Sequence, residues 1–249
     1  MSMRIKALLL LGILGGSIGA PVLAEELGPF DEPVSEETLE LPASDLDPDA
    51  KPQVACSRFA AFAVKEVDIG EIGAEKLSLT GPADACTVDT PGEKIVKDAV
   101  AGYFLGVSGD YVFFQAPDGW NGGLPFVVYD RRTVGRLFDD AFAGDGFTEI
   151  KSGAETLVLR YQRSLTAECS LYKDTGACAA AIATKTGLTA KRIPDCTAIY
   201  DTEKKRTPDF KEEIEKLPTV INYPVEMRWA GGKATFSPMG GDVTCNLPS

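Results

Sequence analysis

The chain contains no histidine. Without an imidazole there is no Ser-His-Asp triad, no Cys-His pair and no histidine metal ligand, which removes most common hydrolase mechanisms. Carboxylate-pair catalysis survives, because it needs only Asp and Glu. Basic residues are in short supply as well: 25 Lys and Arg stand against 37 Asp and Glu, a formal net charge of −12. A chain of that sign lacks a sequence-independent grip on phosphate backbones, so no nucleic-acid partner is expected. There is no P-loop, no G-x-G-x-x-G and no C-x-x-C, which leaves no signal for a nucleotide cofactor or a thiol redox site. No cofactor and no metal are expected. Apart from the N-terminus, no segment is apolar enough to span a bilayer.

What is present begins with that N-terminus. Arg4 and Lys6 precede the stretch Ala7-Leu-Leu-Leu-Leu-Gly-Ile-Leu-Gly-Gly-Ser-Ile-Gly-Ala20, and small residues lead to Ala24. A basic start, an apolar stretch and a small-residue cleavage site describe a secretory signal peptide over residues 1–24, cut after Ala24. The expected mature protein is soluble, without membrane insertion, and periplasmic or secreted. Cysteine usage agrees. Cys56, Cys86, Cys169, Cys178, Cys196 and Cys245 all follow the cleavage point, and an even number in an oxidising compartment reads as three disulfides. Of the 15 pairings that six cysteines allow, the one expected here is Cys56–Cys86, Cys178–Cys196 and Cys169–Cys245.

Residues 25–54 carry ten acidic residues against Lys51, with Pro29, Pro33, Pro42, Pro48 and Pro52 among them. Like charges and prolines both oppose a compact fold, so this segment is expected to be a disordered acidic tail. Taking the tail's −9 and the leader's +2 from −12 leaves −5 for residues 55–249, which are read as one disulfide-stabilised, β-rich domain. Asp45, Asp47 and Asp49 lack the glycine and distal Glu of a calcium loop.

The domain's clearest element is Val220 to Trp229. Ile221, Tyr223, Val225, Met227 and Trp229 alternate with polar residues or Pro224, which is a half-buried strand. Gly231-Gly232 then closes a two-residue hairpin that sets Ala234 opposite Trp229 and Phe236 opposite Met227. Leu157, Leu159 and Tyr161 share one face of a strand over 155–163. Strands at 103–107 and 111–115 flank Ser108-Gly-Asp110, and strands at 124–129 and 134–138 flank Asp130-Arg-Arg-Thr133. Residues 58–67 and 75–79 read as two further strands. Thr90 and Glu93 have capping-box spacing, which predicts a short helical turn before a strand from about 99. Helices are expected over 177–186, stopped by Gly187, and over 207–218, with Thr207 as N-cap and Phe210, Ile214 and Leu217 as its apolar stripe. The fold class is mainly β (α+β by count): an antiparallel β-sandwich or open barrel with one or two packed helices and three disulfides.

Candidate binding residues fall in two loops. Ala116 to Pro125 is rich in glycine and holds Asp118, Trp120 and Asn121, residue types able to stack a sugar ring and bond its hydroxyls. Arg131 and Arg132 sit on a turn tip, where an anion can be held. Asp118, Asp130, Asp139, Asp140 and Asp145 all lie near turns, where Asp side chains cap local N–H groups. No residue is assigned a catalytic role. The function expected is an exported, non-catalytic binding module of the cell envelope, for a protein or glycan ligand or as inhibitor of a secreted enzyme. The alternatives are a histidine-free, carboxylate-dependent glycan hydrolase and a structural envelope component without a ligand.

Overall fold

A computed structural model describes residues 29–43, 50–119 and 121–248. Strand accounts for 44% of the chain and helix for 16%, so the fold is mainly β. Among the described residues, thirteen strands form two antiparallel sheets. The smaller is a meander in sequence order: β1 (Ser35–Glu40), β2 (Gln53–Arg58), β3 (Ala63–Asp68), β4 (Lys76–Thr80) and β5 (Lys94–Val96). The larger contains β6 (Tyr103–Ser108), β7 (Tyr111–Gln115), β8 (Leu124–Asp130), β9 (Gly135–Ser152), β10 (Thr156–Thr166), β11 (Val220–Ala230) and β12 (Lys233–Pro238) as successive neighbours. A short β13 (Thr244–Asn246) pairs with the start of β11. Between β10 and β11 lie α1 (Thr175–Thr186), α2 (Thr197–Arg206) and α3 (Lys211–Lys216).

The sheets pack as a sandwich, and the apolar pattern explains how. Val64, Leu77, Leu79 and Val96 of the smaller sheet, with Phe59 and Phe62, meet Val107, Val112, Phe114, Val127 and Tyr129 of the larger. The opposite faces of β7 and β8 present Tyr111, Phe113, Phe126 and Val128 to a second core. There they meet Leu157, Leu159 and Tyr161 of β10, Ile221 to Met227 of β11, and Cys178, Ile182, Tyr200 and Ile214 of the helices. Two-sided burial is why β7 and β8 read as continuous apolar runs while β10 and β11 alternate. The hairpin register holds: Met227 faces Phe236 and Trp229 faces Ala234. Gly231 and Gly232 have φ of 56° and 76°, the left-handed pair that a two-residue turn needs.

Several expectations are corrected. Residues 58–67 are not one strand. β2 ends at Arg58, and the chain reverses through Phe59-Ala-Ala-Phe62, whose ends are tied by a Phe59 N–H to Phe62 O bond of 2.8 Å. The turn holds no glycine or proline, so its reversal leaves no local signal. Residues 93–103 form no helix. Glu93 and Thr90, the supposed capping pair, both serve the buried Lys65 ammonium instead. At 207–218 only Pro208–Phe210, as a 3₁₀ turn, and α3 are helical. Thr207 donates its hydroxyl to Glu203 rather than capping, and Phe210 is 58% exposed. α1 is as expected, with Gly187 in the left-handed region at its end and Asp174 accepting the Ala177 N–H at its start. α2 was not anticipated, because Tyr200 is its only buried residue.

The acidic segment is not wholly a disordered tail. Ser35–Glu40 pairs along its full length with β2. All six residues are exposed, so the strand forms without desolvating its glutamates, and burial of charge, the main obstacle, does not arise. Ahead of it, Phe30 packs edge-on against Phe113 and Phe147. The Asp31 N–H donates to Val107 O at 2.7 Å, and Asp31 Oδ2 accepts the Gly109 N–H at 2.7 Å. Residues 1–24, expected to be a signal peptide, and Asp45, Asp47 and Asp49 lie outside the described residues.

Cys56 is bonded to Cys86, as expected. The other two pairings are corrected: Cys169 is bonded to Cys178 and Cys196 to Cys245. Cys169 follows β10 closely and α1 starts directly over it, with Cα atoms 5.6 Å apart. Cys196 opens α2, and β13 brings Cys245 to Ile221 at the start of β11, beneath that helix. The Cys196–Cys245 pairing is set by the return of the chain through β13, which local pattern does not report.

Candidate functional site

The two candidate loops are not one site. β8 runs between them, and seven residues of strand separate their ends by roughly 20 Å. At the first end, the glycines have packing roles. A Cβ on Gly123 would lie 2.5 Å from the Ser164 side chain, and one on Gly102 would lie 2.3 Å from Pro117. The loop is closed by the Ala116 N–H to Pro125 O bond at 2.8 Å. Asn121 takes a positive φ of 52° and Asp118 is exposed. Trp120 lies outside the described residues.

At the other end, Arg131 and Arg132 line a cleft of about 280 Å³ at the rim between the sheets. A third cation joins them from the smaller sheet: Lys94, the first residue of β5, on the opposite wall. Phe62 and Leu79 contribute apolar lining, and the glycines 81 and 92 open the backbone to it. Each cation is positioned. The Arg131 guanidinium lies 5.2 Å from the Phe62 ring centroid and pairs with Asp110 at 2.6 Å. Arg132 pairs with Asp130 at 3.2 Å and more distantly with Asp110 at 3.6 Å. Lys94 Nζ donates to the Arg132 carbonyl at 3.1 Å, so the smaller sheet grips the turn of the larger. Asp130 shapes that turn by accepting the N–H groups of Arg132 and Thr133. Its partial burial favours the neutral acid, but those bonds and the Arg132 guanidinium outweigh it and hold the carboxyl below its usual range. The turn ends on Val134 at φ 51°, a conformation that a β-branched residue adopts only when its surroundings hold it there.

The other carboxylates singled out by sequence serve structure. Asp140 is buried between Tyr161, which donates its hydroxyl, and Arg163, whose Nε lies 2.8 Å away. Burial raises its pKa against the pull of Arg163. Asp139 pairs with Arg136 at 2.8 Å, and Asp145 is exposed at a bend in β9. Glu66, not anticipated, is half-buried and lines a small pocket of about 70 Å³. Its pKa is raised by burial, partly offset by the Phe104 N–H that it accepts at 2.7 Å. Ser170 and Lys173 have the S-x-x-K spacing of serine–lysine nucleophile pairs. The Ser170 hydroxyl is committed to the Glu215 carbonyl at 2.7 Å. Lys94 was also missed: it sits in the segment misread as helical, and its approach to Arg132 spans 38 residues.

Comparison with models of known protein families, with curated proteins and with solved structures finds no match for this chain. Among the described residues, no helix is long and apolar enough to cross a membrane.

Proposed function

We propose that this protein is an exported, non-catalytic binding module of the cell envelope, and that it holds an anionic group of an envelope protein or glycan at the rim cleft. The observation that carries the reading is the convergence of Lys94, Arg131 and Arg132, from two different sheets, on one cavity. Three cations against Asp110 and Asp130 leave a local excess of one positive charge in a molecule of net charge −12. A preformed cleft with a few convergent polar groups and an apolar lining is what small-ligand sites share. Three disulfides suit an oxidising compartment outside the cytosol. They also staple the framework that presents the cleft.

The test is binding of the full chain to an acidic and to a neutral envelope polysaccharide, measured by calorimetry at two salt concentrations. Preferential binding of the acidic polymer, weakened by salt and reduced about tenfold in Arg132→Ala and Lys94→Ala at unchanged melting temperature, is expected. Equal binding of both polymers, or binding indifferent to these substitutions, overturns it. A structural component without a ligand would bind neither.

A further inference from the structure

We infer that the rim cleft selects a small amphiphilic monoanion: a carboxylate carried directly on an apolar group of about the size of one amino-acid side chain. The inference rests on the binding reading above and adds the chemistry of the ligand.

The cavity sets the size. About 280 Å³ lies just below the roughly 300–1,000 Å³ of ligand pockets, so the cleft seats one residue-sized group, including a single side or terminal group of a larger chain. The lining sets the chemistry. Phe62 and Leu79 form the floor, only 9% and 4% exposed, with Ala61 exposed beside them. A bound apolar group would complete the edge of the inter-sheet core to which Phe62 and Leu79 already belong.

Charge sets the valence. Arg131 is occupied by Asp110 and by the Phe62 ring, and Arg132 by Asp130 and Asp110. The Lys94 ammonium donates only to a neutral carbonyl among the described residues. One uncompensated cation, with the half-exposed Arg132 guanidinium beside it, matches one negative charge. A dianion would be left in excess. Asp84 does not line the cleft and forms no ion pair with Lys94; its Oδ2 accepts the Gly81 N–H at 2.7 Å. A planar carboxylate can also accept from the guanidinium fork in two parallel bonds.

The experiment titrates the isotope-labelled full chain and follows the amide signals of Gly81, Gly92 and Lys94 by NMR. The probes are N-acetyl-leucine, its neutral amide, hexanoate, acetate and inorganic phosphate. The expected result is saturable shifts at these residues with N-acetyl-leucine and hexanoate, at least fivefold weaker affinity for the amide, acetate and phosphate, and loss of the preference in Lys94→Gln. Tighter binding of N-acetyl-leucine than of hexanoate would assign the group to a peptide terminus, and the reverse to a free acid. If acetate or phosphate binds as well as N-acetyl-leucine, the amphiphile is wrong while the anion reading stands. If the amide binds as well as the acid, or if no probe shifts these residues, the inference is overturned. The binding reading falls separately, on the polysaccharide measurement.

Discussion

Lys65 has a fully buried ammonium, which is tolerable only because every donor is used. Its Nζ reaches the carbonyls of Thr87 and Val88, the Thr90 hydroxyl and Glu93 Oε2, the last at 2.5 Å. Glu93 also takes Lys76 and Ser78. Burial alone would raise the Glu93 pKa, but these partners reverse the shift and hold it at about 2 against an ordinary 4.5. A depressed carboxyl contributes stability that is complete above about pH 4.5 and lost as pH falls through about 2, a contribution on the order of 3 kcal/mol. Glu93→Gln should therefore unfold at lower denaturant concentration at pH 7, by roughly 3 kcal/mol. It should lose less than the parent on going to pH 3; parallel pH curves for the two would sink the assignment. A second residue-scale contact is Gly106 against Phe30, where an added Cβ would lie 2.4 Å from the ring. Gly106→Ala should cost about 1–3 kcal/mol by overpacking. Phe30→Ala in the same chain should remove most of that increment in a double-mutant cycle.

At the scale of elements, the two disulfides of the helical insertion act differently. Cys169–Cys178 ties α1 to the end of β10 across 9 residues, and Cys196–Cys245 ties α2 to β13 across 49. The longer loop loses more freedom in the unfolded chain, by about 1.5 kcal/mol in the chain-entropy description. Replacing Cys196 and Cys245 together by Ser should accordingly lower the melting temperature further than replacing Cys169 and Cys178. Equal losses, or the reverse order, would show that native-state contacts and not loop closure set the values. Tyr129 links β8 to the segment after β5 by donating to Asp98 at 2.8 Å. Burial, aided by Asp98, raises its pKa to about 12. A phenol raised in the fold stabilises below its ordinary pKa of 10 and ceases to as pH climbs through 12. Tyr129→Phe should flatten the alkaline limb of the stability curve between those values.

For the whole molecule, the N-terminal segment matters most. Residues 29–40 anchor on β6 of the larger sheet through Phe30 and Asp31 and then join the smaller sheet as β1. They cross the sandwich rim and strap its layers together. Truncation to residues 55–249 would remove β1 and also Val54, which is fully buried against Cys56, Val67 and Cys86. That truncated chain should melt well below the full protein and expose apolar surface to a hydrophobic dye. Unchanged melting would restore the picture of a detachable acidic tail. The acidic residues of β1 remain solvated on an open edge, a placement that discourages edge-to-edge association.

Legibility in the sequence followed the range of the interaction. Period-two alternation placed β10 and β11, and Gly231-Gly232 set their hairpin neighbour in the correct register, because turn chemistry and strand pleat are local. Gly187 marked the end of α1 for the same reason. Where a residue's partner lies far along the chain, the local pattern misled. Thr90 and Glu93 look like a helix start until Lys65 claims them. Glu36, Glu37 and Glu40 look disordered until β2 offers a strand to pair with. The candidate site divided in the same way: Arg131 and Arg132 were visible as a charged turn, while the cleft was not, since Lys94 and the Phe62 floor come from another sheet. By itself the sequence determined the β class, the glycine-marked turns and the chemistry excluded by the missing histidine. The tertiary structure alone decided the Cys196–Cys245 partnership, the strap and the cleft, because each is a meeting of segments whose separation along the chain no local propensity encodes.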